Sequence, residues 1–190
     1  MPQPDHIHIL PVPALSDLDA DLQKYFNICQ EKLGLMPNVL QSYSLRPDRL
    51  RKFIDSYNEI MLGQSTLTKL EREMIAVVVS SCNRCYYCLV AHGQAVRQLS
   101  GDAQFGEMLV MNYRVAELDE RTRAILDFAW NLTESPAHTT AEDRQALFDL
   151  GIEAEEYFDI CETTAFFNMT NRIAHGVDMM PNADYHKMNR

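Results

Sequence analysis

The chain has 190 residues, 46% of them hydrophobic and 23% charged, a length and composition that suit one globular domain with a sizeable core. Its 17 basic residues against 27 acidic ones leave a formal charge of −10, which argues against a nucleic-acid partner, because phosphates need a face rich in lysine and arginine. The opening MPQPDHIHILPVPALSD lacks the cationic and long apolar segments of an export signal, and no run of about 18 apolar residues exists to cross a membrane. Five cysteines, three of them crowded between Cys82 and Cys88, do not make a secreted disulfide framework, so a cytoplasmic protein with no membrane partner is the expectation.

In chain order, Pro2, Pro4, Pro11 and Pro13 predict an extended arm over residues 1–14. A helix follows through LDADLQKYFNICQEKLG and is stopped by Gly34 and Pro37. NVLQSYSLRP reads as a short helix ending before Pro47, and the next segment repeats Leu50, Phe53, Ile54, Tyr57, Ile60 and Met61 at helical spacing. STLTKLEREMIAVVVSS opens on a Ser/Thr cap; the run Val77–Val79 alone would suit a strand, but its length and flanks predict a buried helix. After the cysteine-rich stretch, LSGD breaks the chain and helical patterns resume in QFGEMLVMNYR and LDERTRAILDFAWNLTESP. Thr140 caps TTAEDRQALFDLGI, Gly151 stops it, and EAEEYFDICETTAFFNMTNRIAHGV is a last amphipathic helix. With no strand–turn–strand signal, the expected fold is an all-α multi-helix bundle, a single domain over residues 1–190.

The stretch NRCYYCLVAH, residues 83–92, carries the chemistry. Asn83 is a good N-cap residue, which predicts Cys85 in the first turn of a new helix and Cys88 one turn on, with Cys85, Cys88 and His92 along one stripe. A helix start lowers a thiol pKa from about 8.5 toward neutrality, and His92 is placed to accept the Cys88 proton. Three uses of these thiols stay open: a redox dithiol, a metal or cluster site, and packing. Cys82, Cys85, Cys88 and His92 copy the spacing of an iron–sulfur run with histidine in the last place. Yet LVAHGQAVRQL continues with helical periodicity, and one turn of helix cannot surround an ion, so neither metal nor other cofactor is expected. Cys29 and Cys161 read as packing residues, and Cys82 as structural or an auxiliary thiol.

Glu73, eleven residues, Cys85, two residues, Cys88, three residues and His92 together resemble the active-site signature of alkylhydroperoxidase D-like proteins in the carboxymuconolactone decarboxylase superfamily. LEREMIAVVVSSCNRCYYCLVAHG and AFFNMTNRIAHG are similar to its peroxidase-related branch. The resemblance implies a compact all-α fold and a homo-oligomer, trimer or hexamer ahead of dimer. It implies a peroxide substrate and an external dithiol reductant. By the same resemblance, Cys88 becomes the sulfenic acid, Cys85 donates a proton and closes the disulfide, and Glu73 tunes His92 as relay base. From the residues alone the first cysteine of the pair is an equal candidate for nucleophile.

One position departs from the family pattern, because Tyr87 stands where a second histidine is usual. A phenol with pKa near 10 is a poor proton shuttle, so Tyr87 is expected to contact substrate or, with Tyr86, to form cavity wall. The superfamily's lactone-decarboxylating branch, which uses no cysteine pair, is an alternative that retention of Cys85 and Cys88 argues against. Asn171 and Arg172 either line a ligand cavity or cap and pair locally, and His6, His8, His138, His175 and His186 match no site pattern.

Overall fold

The computed structural model describes residues 3–190, so Met1 and Pro2 of the expected arm lie outside it. The rest of the arm has no regular structure as far as a short 3-10 turn at Leu15–Asp17, and it is held by the far end of the chain. The Ile9 amide donates to the Val177 carbonyl at 3.0 Å, and the Met180 amide to the Ile7 carbonyl at 2.9 Å. Helix α1 (Ala20–Leu33) buries Leu22, Phe26 and Cys29, then stops at Gly34, whose φ of 75° suits glycine. Helix α2 (Asn38–Tyr43) is a short link to α3 (Pro47–Leu62), which begins on a proline where no amide partner is needed.

Helix α4 (Lys69–Cys82) is the hub. Its start is fixed by a capping box, in which the Glu71 amide donates to the Thr68 hydroxyl and the Thr68 amide donates to the Glu71 carboxylate at 2.8 Å. Every residue from Arg72 to Ser80 is then buried, because α4 is surrounded by α5 (Tyr86–Ser100), α6 (Ala103–Asn112), α7 (Glu120–Glu134) and α9 (Ala154–Gly176). Burial on all sides overrides the β-preference of Val77, Val78 and Val79, so the helix expected over this run is the one observed. Arg121 of α7 forms ion pairs with both Glu71 of α4 and Glu156 of α9, tying the three together.

Helix α8 (Ala141–Asp149), capped by Thr140 as expected, completes a set of nine α-helices with no strand among the described residues. The all-α expectation therefore holds. Helices α5 and α6 approach closely: a Cβ at Gly93 would lie 2.7 Å from Val110 Cγ2, so a larger residue beside His92 would have to displace that side chain. After α9 the chain turns back over α5. Buried Arg97 donates to the Tyr185 carbonyl at 2.8 Å and to the Met188 carbonyl at 3.1 Å, and this segment closes one side of the cavity described below.

Candidate active site

The turn between α4 and α5 differs from the sequence expectation. Asn83 does not cap α5; it closes α4. The Arg84 amide donates to the Ser81 carbonyl at 3.1 Å and the Cys85 amide to the Ser80 carbonyl at 2.9 Å, the double bond pattern of a Schellman ending. Arg84 occupies its left-handed position, with φ of 55°, where glycine is usual. The turn's backbone is thus satisfied by α4 itself, which frees the Asn83 side chain to donate to the amide oxygens of Asn168 and Asn171, each at 3.0 Å. Cys85 takes the N-cap position of α5 and Cys88 its third helical position, so their thiols meet where a capping side chain reaches back over the first turn.

This contact separates the two thiols electrostatically. Cys85 falls to about 7, chiefly because the Cys88 thiol donates to its sulfur; the Cys88 amide and the nearby imidazoles of His175 and His92 help, and burial opposes. Cys88 is pushed well above the ordinary thiol range, because it holds the shared proton and is itself buried. Only Cys85 is lowered, and chiefly by its neighbour's proton, a correction to the expectation that the helix start lowers both thiols; the pair titrates as one unit. Two further side chains favour a charged Cys88: Asn171 and Ser80 both hydrogen-bond its sulfur. Asn171 Nδ2 also donates to Ser80 Oγ at 3.1 Å, and both residues are fully buried.

Cys88 lines a cavity of about 260 Å³, and Cys85 lies behind it, outside the lining. Aromatic rings of Phe53, Tyr57, Phe166 and Phe167 form much of the wall. Glu73 from the hub helix and His92 from α5 enter the same space, with the His92 Nδ1 to Glu73 Oε2 hydrogen bond at 2.7 Å. The imidazole meets the Phe167 ring edge-on, with centroids 4.6 Å apart, and that contact holds its orientation. No hydrogen bond joins His92 directly to Cys88 among the described residues. No lysine or arginine lines the cavity.

Tyr87 lies in the wall, as expected, whereas Tyr86 is turned outward, 45% exposed, and hydrogen-bonds Gln3 and His186. Cys29 reaches the cavity from α1, its thiol raised by burial. Cys82 and Cys161 lie outside the lining, also raised by burial. Neither Asn171 nor Arg172 lines the cavity: Asn171 supports Cys88 from behind, and exposed Arg172 donates to the Asn168 carbonyl at 2.7 Å. Sequence reasoning missed Ser80 and His175, the latter bonded through Nε2 to the Asn83 carbonyl at 3.0 Å. Their signal lies in helix phase: Ser80 is seven residues after Glu73, on the same face of α4. Among the described residues no three His, Cys, Asp or Glu side chains gather as metal ligands.

A helical bundle that holds a coupled thiol pair at a helix start, beside a buried Glu–His pair in an apolar cavity, defines a dithiol-centred all-α protein. The model of the Carboxymuconolactone decarboxylase family matches residues 47–129, which include Glu73, Cys85, Cys88 and His92. Among solved structures, an uncharacterized peroxidase-related protein from Silicibacter sp. TM1040 is 55% identical over 100% of both chains, with a TM-score of 0.95. An alkylhydroperoxidase AhpD core protein from Ralstonia eutropha JMP134, described as an uncharacterized peroxidase-related protein, is 36% identical over 98% of each chain, with a TM-score of 0.94. The debrominase Bmp8, solved in complex with 2,3,4-tribromopyrrole, shares the fold at 20% identity over 94% of both chains, with a TM-score of 0.80. A search among curated proteins found no match. The chain belongs to the carboxymuconolactone decarboxylase superfamily as an alkylhydroperoxidase D-like, peroxidase-related protein.

Proposed function

We propose that the protein is a thiol-dependent peroxidase that reduces an organic peroxide through a Cys85–Cys88 dithiol–disulfide cycle. The observation that carries this reading is the placement of the two thiols: Cys88 faces the cavity that holds the Glu73–His92 pair, and Cys85 lies one hydrogen bond behind it. In the first step Cys88 sulfur attacks the distal peroxide oxygen, so that an S–O bond forms and the O–O bond breaks. The Cys88 proton passes to Cys85 along the existing S–H···S contact and on to the departing alkoxide, directly or through His92. Glu73 fixes Nδ1 of that imidazole and leaves Nε2 for proton exchange. Ser80 and Asn171 hold the charge that grows on Cys88 sulfur.

Cys85, the thiolate of the pair, then attacks the Cys88 sulfenic acid. The S–S bond forms, the S–O bond breaks, and the departing hydroxide takes a proton from His92 or solvent and leaves as water before the sulfur is oxidised further. An external dithiol opens the disulfide through a mixed disulfide, becomes a disulfide itself, and returns two electrons and two protons to the pair. The decarboxylase alternative is weakened by the cavity, which offers no lysine or arginine to a substrate carboxylate and already holds Glu73. The debrominase relative, solved as its C82A variant with 2,3,4-tribromopyrrole, carries a different named activity on the same fold.

The test is trapping of the intermediate. Cys85→Ser protein treated with one equivalent of cumene hydroperoxide and dimedone carries the label at Cys88, and Cys88→Ser protein carries none at Cys85. Label on Cys85 alone reverses the two roles.

A further inference from the structure

Four phenols line the cavity: Tyr25 of α1 and, shifted further by burial, Tyr57, Tyr87 and Tyr185 from α3, α5 and the C-terminal segment; none is accounted for by the dithiol chemistry. The Tyr87 oxygen accepts from the Val39 amide at 3.0 Å, which fixes the ring and leaves its own proton to be donated elsewhere. The hydroxyls of Tyr57 and Tyr185, both on partly buried residues, make no hydrogen bond among the described residues and so are free to donate to a bound molecule. Burial keeps Tyr57, Tyr87 and Tyr185 neutral: the first two are held well above the ordinary phenol range and Tyr185 is pushed up to about 12, each with neighbouring acidic groups adding to the shift. They are therefore donors at any physiological pH. The rest of the lining is mostly apolar, with Gln94, Gln98, Thr170 and His92 as its other polar side chains; among the described residues it has no lysine or arginine, and its one carboxylate, Glu73, repels anions.

Size adds a second constraint. A volume of about 260 Å³ is several times the roughly 30 Å³ that one water occupies in the liquid, so hydrogen peroxide would leave most of the cavity unfilled. We infer that Tyr57, Tyr87 and Tyr185 form a donor subsite that selects an uncharged aromatic substrate bearing a hydrogen-bond acceptor, and that carboxylate-bearing substrates are refused. The aromatic walls take the ring, the phenol protons take the acceptor atom, and a carboxylate would meet Glu73 with no lysine or arginine to pair with. This inference rests on the cavity being the substrate site, as proposed above.

Its test uses ligands that no thiol reduces, so it is independent of turnover. Binding of acetophenone, ethylbenzene and benzoate to the reduced wild-type protein is measured by calorimetry. Acetophenone, an uncharged ring with an acceptor oxygen, is expected to bind most tightly. Ethylbenzene, which has the ring alone, should bind more weakly, and benzoate more than about a hundred-fold more weakly than acetophenone. Tyr57→Phe and Tyr185→Phe should each weaken acetophenone by roughly two- to ten-fold and leave ethylbenzene unchanged, the latter showing that the cavity is intact. Benzoate binding as well as acetophenone, no binding of acetophenone, or phenylalanine variants that leave acetophenone unaffected would overturn the inference. Failure of the redox reading would instead leave these affinities in place while peroxide removes no thiol.

Discussion

At the scale of single residues, the chemistry turns on one proton held between two sulfurs. Cys88 holds it and donates it to Cys85, so the first thiol to ionise does so because its neighbour stays protonated. Cys29, Cys82 and Cys161 are all raised by burial and do not ionise in the same range. The ultraviolet thiolate absorbance of the reduced protein should therefore rise through one step with a midpoint near 7, absent at lower pH and present above it. Because the Cys88 proton is the largest influence on Cys85, Cys88→Ala should move that step upward, toward the ordinary thiol value of about 8.5 or beyond. A midpoint unchanged by the substitution would place the cause in the helix start instead. Spacing in the sequence singled out Cys85, Cys88 and His92, and the family resemblance added Glu73, which the fold sets beside His92. The opposite shifts of the two thiols were not legible there, because they depend on which sulfur holds the shared proton and on how far the fold buries Cys88.

At the scale of elements, the turn from α4 to α5 decides where the cysteines point. Gly34, Pro47, Thr68 and Thr140 each carry a local signal that the backbone obeys, and the helix boundaries near them follow the sequence closely. Asn83 carries an equally good N-cap signal that the fold overrides, since the amides after it are taken by Ser80 and Ser81 of the preceding helix. No glycine marks the turn; Arg84 adopts the left-handed conformation that glycine would supply. The side chain of Arg84 is exposed, so Arg84→Gly removes backbone strain without removing a contact. We expect a gain of up to about 1 kcal/mol, after the larger unfolded-state entropy of glycine is set against the strain relieved. For a chain of this size that is a rise in Tm of roughly 2–4 °C, measured by thermal unfolding of the reduced protein. A lower Tm would mean that Arg84 makes a stabilising interaction in solution.

At the scale of the whole molecule, the core is organised around α4, and the ends of the chain meet: Ile7 and Ile9 pair with Met180 and Val177, while Tyr185 closes the cavity. Tyr57 and Tyr185 stand far from the cysteine motif in sequence, which is why the substrate side of the site could not be read from spacing. Among the described residues no helix is long and apolar enough to cross a membrane. Several large apolar side chains stay on the surface, among them Ile9 at 64%, Met111 at 80% and Phe158 at 64% exposure. We propose that such residues are covered in a homo-oligomer, trimer or hexamer ahead of dimer; light scattering at micromolar concentration should give a multiple of the 21.8 kDa chain, and a monomer would contradict this. The central claim, that Cys85 and Cys88 form a redox pair, is tested most directly by thiol counting and peptide mapping after one equivalent of cumene hydroperoxide is added to the reduced protein. The predicted result is loss of two of the five thiols as a Cys85–Cys88 disulfide, with Cys29, Cys82 and Cys161 still alkylated. Five alkylated cysteines after oxidation, or a disulfide that includes Cys82, would contradict it.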